Sequence, residues 1–291
     1  MQQDALLDFR ALDAAPPQLR MGETTSEFLK SVGIEPSADL SAAAAPAPQM
    51  SIRGQMTAVK NQGNLPACTA FCTLSLLEFI SKKDLSESHL VHGAEKKCGD
   101  CKDAFNQFAC AMSYARDLGV CEEAYWPYDD RKTCWASPPN IAGKPLFKFS
   151  SVSTLFTRGR SEALGELQAL LDDGGGLDEA AVPGGGKTAA LKAHLSQRKT
   201  PVGLEVPVYW AAGWKAGPDI KMPSRADAEA FLAQSTPTVD GWHCVAICGY
   251  DDSRSRFEFK NSWGTAWGNS GYGTLPYGYV DKLSASAMIA S

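Results

Sequence analysis

One stretch constrains this chain more than any other: a cysteine, Cys68, that opens a long apolar run. The run Phe71–Ile80 has few polar positions, so it predicts a helix that is buried along most of its length. Cys68 would lie at the N-terminus of this helix, where unpaired backbone N–H groups and the helix dipole stabilise a thiolate. Taken alone, such a cysteine is more often a small core residue, because a nucleophile also needs a base and a group that orients the base.

The search for that base is short, since the chain contains four histidines. Three lie in polar stretches and are expected to be solvated: His89, His92 and His194. The fourth, His243, begins the apolar strand Cys244–Cys248, which would hold its imidazole at a strand end beside a cleft. Asn261, at the end of the next predicted strand, can accept a hydrogen bond from one ring N–H and leave the other nitrogen for Cys68. Trp263 would cover this hydrogen bond and exclude water.

In their order along the chain, these residues resemble the papain-like cysteine peptidases. The matching motifs are Val59 to Gly63, Cys68 with Phe71, Leu85 to Glu87, Tyr125 to Tyr128, His243 with Gly249 and Tyr250, and Lys260 to Gly268. The resemblance covers roughly residues 51 to 280. It implies an α+β fold of two lobes, one helical and one an antiparallel β-barrel-like lobe, with the active-site cleft between them.

The resemblance also implies a role for each matching residue. Cys68 is the nucleophile, His243 the general acid and base, and Asn261 the residue that orients the imidazole. The Gln62 side-chain amide and the Cys68 backbone N–H form the oxyanion hole, a device worth about 3 kcal/mol per donor in comparable sites.

Departures from the family pattern leave the substrate preference open. Thr69 follows the nucleophile where the family usually has Trp, and Leu65 and Pro66 replace a cysteine and a glycine. Pro66 therefore changes the backbone expected to line the first specificity pocket. Trp242, directly before His243, adds bulk where the second pocket would have its wall.

The predicted organisation has three parts. Residues 1–50 form an N-terminal extension, a possible short prosegment with an Ala/Pro linker; residues 51–140 form the helical lobe and residues 141–291 the β-rich lobe. The extension contains two amphipathic pieces, residues 5–12 and 26–34, too short to fold alone. It is either a disordered tail or a segment that docks on its own catalytic domain, and we expect it to restrict access to the cleft.

Composition excludes several partners. The net charge of -5, without a Lys/Arg cluster, argues against nucleic acid. No run approaches 18 apolar residues, so no membrane span is expected. The first residues lack a secretory signal, which predicts a cytoplasmic protein or a non-classical route of export. The glycine-rich segment Pro183–Thr188 resembles a phosphate loop only superficially and predicts a flexible surface insertion.

The nine cysteines fall into two groups besides Cys68. Four lie in apolar runs and are expected to be free core thiols: Cys72, Cys110, Cys244 and Cys248. Four lie in polar sequence and could form one or two disulfides: Cys98, Cys101, Cys121 and Cys134. Cys98 and Cys101 have the spacing of half a zinc site, but no second pair follows, so neither a metal nor another cofactor is expected.

The sequence thus predicts a monomeric cysteine endopeptidase that acts on protein or peptide substrates without a cofactor. Two alternatives remain open. One is acyl transfer by the same thiol chemistry, although such relatives normally orient the histidine with Asp where this chain has Asn261. The other is a catalytically inactive papain-like protein that is retained for binding.

Overall fold

The computed structural model describes residues 25–37, 46–98, 107–130, 138–175, 177, 186–215, 217–233 and 241–291. Within these ranges, none of the helices is long and apolar enough to cross a membrane. The helices of the described residues are α1 (Thr25–Ser31), α2 (Cys68–Ser81), α3 (Glu87–Cys98), α4 (Gln107–Asp117), α5 (Gly159–Asp172), α6 (Gly186–Arg198), α7 (Arg225–Leu232) and α8 (Tyr277–Leu283).

Helix α2 is the buried helix that the apolar run predicts. It begins at Cys68, and every residue from Thr69 to Phe79 is buried. It ends at Lys82, which adopts a left-handed conformation and donates its backbone N–H to the carbonyl of Glu78. The prediction that Cys68 is the first residue of a core helix is therefore confirmed.

The strands form one sheet in the order β1-β3-β8-β4-β5-β6-β7, with β2 pairing with β5. Their bounds are β1 (Glu35–Pro36), β2 (Gln49–Ser51), β3 (Val152–Thr157), β4 (Val202–Pro207), β5 (Trp242–Asp251), β6 (Arg256–Lys260), β7 (Tyr272–Pro276) and β8 (Ser286–Ala290). The fold is mixed helix and sheet, as expected, but this sheet is not closed into a barrel. Its first and last strands, β1 and β7, do not pair with each other, and closure requires every strand to have two neighbours.

The predicted hairpin near the C-terminus is present. Strands β5 and β6 are antiparallel, with Ala246 opposite Lys260 and Tyr250 opposite Phe257. This register places the first residues of β5, including His243, at the same end of the hairpin as Asn261, which follows β6 directly.

Two large apolar clusters pack on opposite faces of β5. Val245 and Ile247 face a cluster of sheet residues and the helices α5 to α8, which we call the sheet lobe. Cys244 and Ala246 face a cluster built mainly from α2, α3 and α4, which we call the helical lobe. Alternate side chains of a strand point to opposite faces, so β5 belongs to both lobes. The boundaries at residues 50 and 140 stay predictions.

The described part of the N-terminal extension packs against the helical lobe. The second amphipathic piece forms α1, and its residues Phe28 and Leu29 are buried in the helical-lobe cluster, followed by Val32 and Ile34. The first piece, residues 5–12, lies outside the described residues. Most of the glycine-rich segment before α6 also lies outside them.

Several expectations about cysteines were wrong. Cys98, one of the four cysteines that could form disulfides, is bonded to Cys110, which was expected to be a free core thiol. Cys121, another of those four, is free and buried. The apolar setting of Cys110 predicts burial, but burial does not exclude a disulfide when another cysteine packs against it. Cys101 and Cys134 lie outside the described residues.

The expectation that three histidines are solvated was also wrong. The exposed fraction is 1% for His89, 5% for His92 and 3% for His194. The prediction rested on the polar residues next to each histidine in sequence. A helix with many polar residues can still bury one polar side chain when that side chain finds a hydrogen-bond partner in the core. His89 contacts the hydroxyl of Tyr114 at 3.0 Å, and His194 contacts Thr200 at 2.8 Å.

Candidate active site

Cys68 lies at the start of α2, partly exposed, where it faces the beginning of β5. Ala67 precedes it without a side-chain cap, so the first N–H groups of the helix stay available. The Cys68 sulfur receives a hydrogen bond from the backbone of Cys244, the residue after His243. Burial nevertheless raises the pKa of the thiol to about 11, against the lowering effect of Arg160 and of the Cys244 N–H. In this arrangement burial outweighs the helix N-terminus, and the thiol is neutral.

Arg160 belongs to a buried ion pair beside the cysteine. Its Nε and Nη2 lie 2.9 Å and 2.7 Å from Oε1 of Glu205, and Ser286 donates its hydroxyl to the other carboxylate oxygen at 3.0 Å. The Arg160 guanidinium also lies 5.5 Å from the ring of Trp242. The sequence prediction missed this pair, since no motif marks an arginine at the start of α5 and a glutamate within β4.

His243 is the second residue of β5, and its ring is hydrogen-bonded at one nitrogen. Its Nε2 lies 2.7 Å from Oδ1 of Asn261, and that oxygen also accepts the backbone N–H of Ser262. An amide oxygen can only accept, so Nε2 carries the proton and Nδ1 keeps a free electron pair. Burial lowers the pKa of His243 to about 4, although the hydrogen bond to Asn261 raises it. The imidazole is therefore neutral here.

Aromatic rings enclose this histidine. Trp263 stacks on the imidazole with ring centroids 4.5 Å apart, where the sequence predicted a cover for the hydrogen bond. Trp214, fully buried, meets the imidazole edge-on at 5.8 Å. Trp210 is 61% exposed and stacks on Trp263 at 5.8 Å. Trp210 and Trp214 were not predicted, because both lie in irregular sequence after β4 whose packing is set by residues far along the chain.

Gln62 is joined to the segment that carries Asn261. Its side-chain oxygen accepts the hydroxyl of Ser262 at 2.6 Å, and its backbone N–H donates to the carbonyl of Ser262 at 2.8 Å. Its side-chain nitrogen donates to the carbonyl of Leu65 at 2.9 Å. Pro66 is exposed in the loop between Gln62 and the start of α2. The structure thus brings the candidate oxyanion-hole amide to the residue next to the histidine's partner.

A buried charge network anchors this loop to the helical lobe. Lys60 lies within 2.9 Å of carboxylate oxygens of Glu78, Asp84 and Glu87. Glu87 is almost fully buried, and burial raises its pKa to about 8. Because Glu78 lies in α2, the network fixes the segment before Gln62 relative to the helix that begins at Cys68.

The N-terminal helix α1 lies close to the same site. Thr25, Phe28 and Leu29 line a cavity together with Glu205 and Ser286. Cys68 itself packs at the edge of the apolar cluster that includes Phe28 and Leu29. The described part of the extension therefore lies against Glu205 of the ion pair and in the same apolar cluster that Cys68 borders.

A partly exposed cysteine at a helix N-terminus, set against a strand that begins with an amide-bound histidine, is typical of enzymes that use a thiol nucleophile. A comparison with family models identifies the family. Residues 48–164 and 230–289 match the papain family of cysteine proteases. This protein belongs to that family.

Curated relatives agree with this assignment. Vignain of Ricinus communis is 29% identical over 253 residues, which cover 82% of this chain and 57% of that protein. Thiol protease SEN102 of Hemerocallis is 26% identical over 240 residues, which cover 79% of this chain and 54% of that protein. The chain thus spans little more than half the length of these relatives.

Solved structures share the fold at lower sequence identity. Xylellain, a cysteine protease from Xylella fastidiosa, superimposes with a TM-score of 0.59 at 20% identity, covering 89% of this chain and 91% of its own. The proform of the ragweed pollen cysteine protease Amb a 11 gives a TM-score of 0.54 at 20% identity, covering 92% of this chain and 74% of its own. These neighbours establish a papain-like architecture for the chain.

Proposed function

We propose that this protein is a cysteine endopeptidase that hydrolyses peptide bonds through a thioester intermediate, with Cys68, His243 and Asn261 as its catalytic residues. The observation that carries the proposal is the 2.7 Å contact between His243 Nε2 and Asn261 Oδ1, which leaves Nδ1 of the ring as the acceptor. Among the described residues no hydrogen bond to that nitrogen is found, and Cys244, the next residue of the strand, donates its backbone N–H to the Cys68 sulfur. A ring that is held at one nitrogen and open at the other is suited to move a proton.

In the proposed reaction Nδ1 of His243 takes the thiol proton as the Cys68 sulfur attacks the substrate carbonyl carbon. The Cys68 backbone N–H and the Gln62 side-chain amide stabilise the oxyanion, for which the Gln62 amide has to turn from the Leu65 carbonyl. His243 then gives its proton to the leaving amine. Water, deprotonated by the same nitrogen, hydrolyses the thioester and restores the thiol.

The substrate is a protein or peptide, and the positions around Cys68 suggest where its chain runs. Pro66 lies exposed in the loop before Cys68, Trp242 directly precedes His243, and Trp263 with the exposed Trp210 offers an aromatic surface beside the imidazole. A peptide backbone in this cleft would exclude water from the Asn261–His243 contact, as Trp263 already does from one side.

The N-terminal segment is proposed to hold the enzyme in a latent state. Phe28 and Leu29 are buried against the helical lobe beside Cys68, and both the thiol and the imidazole are neutral in this arrangement. Displacement of α1 would hydrate the cleft, and hydration favours the thiolate–imidazolium pair because burial is the main cause of both shifts. Two of the solved neighbours are described as proforms, the ragweed protease Amb a 11 and a digestive procathepsin L of Tenebrio molitor.

Hydrolysis of fluorogenic peptides tests the catalytic proposal. The wild-type chain should cleave, and it should lose activity when an epoxide or iodoacetamide labels Cys68 alone among the cysteines. A labelled Cys68 without hydrolysis, but with transfer of the acyl group to an added amine, would favour acyl transfer. Neither labelling nor turnover, even after α1 is displaced, would favour the inactive binding protein.

Displacement of α1 has its own test with a matched control. The double variant Phe28→Ala/Leu29→Ala removes the buried contacts of α1, whereas Lys30→Ala changes an exposed residue of the same helix. We expect the double variant to be alkylated at Cys68 at least about 10-fold faster than wild type, because about 2–5 kcal/mol of packing is lost per large side chain. Equal rates of Cys68 alkylation in all three proteins would show that α1 does not keep the enzyme latent. The proposed roles of the catalytic residues would be unaffected.

A further inference from the structure

Three free thiols meet where α2 crosses the start of β5. Cys68 and Cys72 are four residues apart in α2, so they share one face of the helix. Cys72 donates its thiol hydrogen to the carbonyl of Val245 at 3.3 Å. Cys244 contacts both helix cysteines: its side chain is hydrogen-bonded to the thiol of Cys72, and its backbone N–H reaches the sulfur of Cys68.

The direction of Cys244 is fixed by the pleat of β5. Val245 and Ile247 point into the sheet lobe, so Cys244 points to the opposite face, into the cluster that holds Cys72 and the edge of Cys68. A free cysteine in a core usually acts as a small apolar side chain. Cys244, by contrast, lies against the proposed nucleophile Cys68. Its thiol is therefore placed to react with the Cys68 sulfur, which a distant core cysteine is not.

The second buried thiol of β5 provides the contrast. Cys248 lies four residues further along the strand, in a separate cluster with Ile52, Phe79 and Tyr272. It is free and fully buried, like Cys244, but it shares no contact with Cys68. The two residues are therefore alike in strand, burial and chemistry, and differ in proximity to the nucleophile.

We propose that Cys244 is a resolving cysteine that captures the oxidised nucleophile as a Cys68–Cys244 disulfide when a hydroperoxide enters the cleft. The proposal rests on the proposed function, in which Cys68 is the reactive thiol. It makes the pair a reversible modification site at the junction of the two lobes.

The chemistry proceeds in two balanced steps. The Cys68 thiolate attacks the terminal peroxide oxygen, so that an S–O bond forms, the O–O bond breaks, and the other oxygen leaves as an alcohol or water after it takes a proton. The sulfur is oxidised by two electrons to a sulfenic acid. The Cys244 sulfur then attacks the Cys68 sulfur, and hydroxide leaves with the Cys244 proton as water. A dithiol reductant returns two electrons and restores both thiols.

The disulfide protects the nucleophile from a second oxidation. Without a nearby thiol, a sulfenic acid reacts with more peroxide to a sulfinic acid, which a dithiol does not reduce. Oxidation requires the thiolate, so the same displacement of α1 that activates the enzyme also exposes it to peroxide. Capture by Cys244 keeps the activated enzyme recoverable.

The test uses full-length protein that carries Phe28→Ala/Leu29→Ala in every variant, so that α1 is displaced and Cys68 can ionise; in this test, wild type means that background. The protein is treated with hydrogen peroxide, its remaining thiols are blocked, and the state of Cys68 is identified by peptide mass. In wild type we expect a peptide pair linked between Cys68 and Cys244, lighter by two hydrogens, and renewed iodoacetamide labelling of Cys68 after dithiothreitol. In Cys244→Ala we expect Cys68 with two added oxygens and at least about fivefold less recoverable labelling. Cys248→Ala, the matched control, should behave as wild type.

Two outcomes would overturn the inference. One is equal sulfinic acid at Cys68 in wild type and Cys244→Ala, and the other is a disulfide that joins Cys72 to Cys244 while Cys68 is over-oxidised. Iodoacetamide labelling of Cys68 before any peroxide is added distinguishes failure of the resolving role of Cys244 from failure of the proposed function. If Cys68 is alkylated but forms no disulfide, only the resolving role is lost; if Cys68 is not alkylated, the proposed function fails first.

Discussion

Two buried histidines of this protein lie near free cysteines, one pair within the helical lobe and the other between His243 of the sheet lobe and Cys68 of the helical lobe, and the two pairs differ in the partners of the ring. In the helical lobe, His89 accepts the backbone N–H of Cys121 at Nδ1 and contacts the Tyr114 hydroxyl through Nε2. In the sheet lobe, His243 contacts Asn261 through Nε2 alone. Burial lowers the pKa of both histidines to about 4. A shifted pKa therefore does not identify the functional histidine, and an unused ring nitrogen does not either, since Nδ1 of His194 also has no partner among the described residues. What distinguishes His243 is its neighbour Cys244, whose backbone N–H reaches the Cys68 sulfur.

The cysteines of the two pairs differ in the same way. Cys121 is fully buried, and it meets His89 through its backbone N–H. Cys68 is partly exposed at the first residue of α2. A substrate can reach a partly exposed sulfur at the N-terminus of a helix, but it cannot reach a sulfur that is buried inside a packed lobe. The following predictions test whether this contrast between the pairs is correct.

The largest effect is expected from the two cysteines. Cys68→Ala should lower kcat/KM for a fluorogenic peptide at least about 10⁴-fold, because the covalent step disappears with the sulfur. Cys121→Ala should leave kcat/KM within about threefold and lower the free energy of unfolding by about 1–2 kcal/mol, the cost of a small cavity. A comparable loss of activity in both variants would break the comparison.

The second effect concerns stability at low pH. The pKa of His89 is about 4 in the folded protein and 6.5 in the reference state, so the unfolded chain binds a proton that the folded chain does not between these values. The free energy of unfolding should therefore fall by about 3 kcal/mol for this residue as the pH drops from 6.5 to 4. Urea unfolding at several pH values should give a flatter pH dependence for His89→Gln.

His243→Gln sharpens the same experiment. Its imidazole has the same direction of pKa shift, so its removal should flatten the pH dependence of stability to a similar degree. It should also abolish peptide hydrolysis, whereas His89→Gln should retain it at pH 7. If His89→Gln were folded but inactive, His89 would have a role in catalysis and not only in the structure of the helical lobe.

A smaller effect is expected at Asn261. Asn261→Ala should lower kcat about 30- to 100-fold and leave KM within about twofold, because the ring loses its orientation and tautomer while the cleft keeps its shape. Steady-state kinetics with thermal unfolding as a control measure this. A rise in KM with unchanged kcat would mean that Asn261 binds substrate and does not orient His243.

The smallest effect is expected from the corresponding contact in the helical lobe. Tyr114→Phe removes the hydroxyl that His89 contacts at 3.0 Å and should lower the free energy of unfolding by about 1 kcal/mol. Neither kcat nor KM should change. A loss of kcat similar to that of Asn261→Ala would show that the site depends on both lobes' histidines.

Local patterns made much of the fold predictable. The apolar run after Cys68 has a length and composition that only a buried helix satisfies, and the run after His243 with the next strand forms the expected hairpin. The positions of Asn261 and Trp263 beside His243 follow from that hairpin, since both come directly after its second strand. These features depend on neighbours within about twenty residues, which a sequence displays.

Contacts between distant segments were not predictable. No local pattern indicated that Arg160 pairs with Glu205, that Cys98 bonds to Cys110, or that the sheet stays open at its ends. Burial of His89 was missed for the same reason, because its partners Cys121 and Tyr114 lie 32 and 25 residues away.

The sequence by itself determined which groups are available: a cysteine at a helix start, a histidine at a strand start and an amide to follow it. Only the tertiary structure decided their charge states, because burial raises the pKa of Cys68 and lowers that of His243. It also decided that Cys244 lies against the nucleophile. Desolvation and sulfur-to-sulfur proximity depend on the atoms that surround a group in space, and those atoms come from parts of the chain that no local pattern connects.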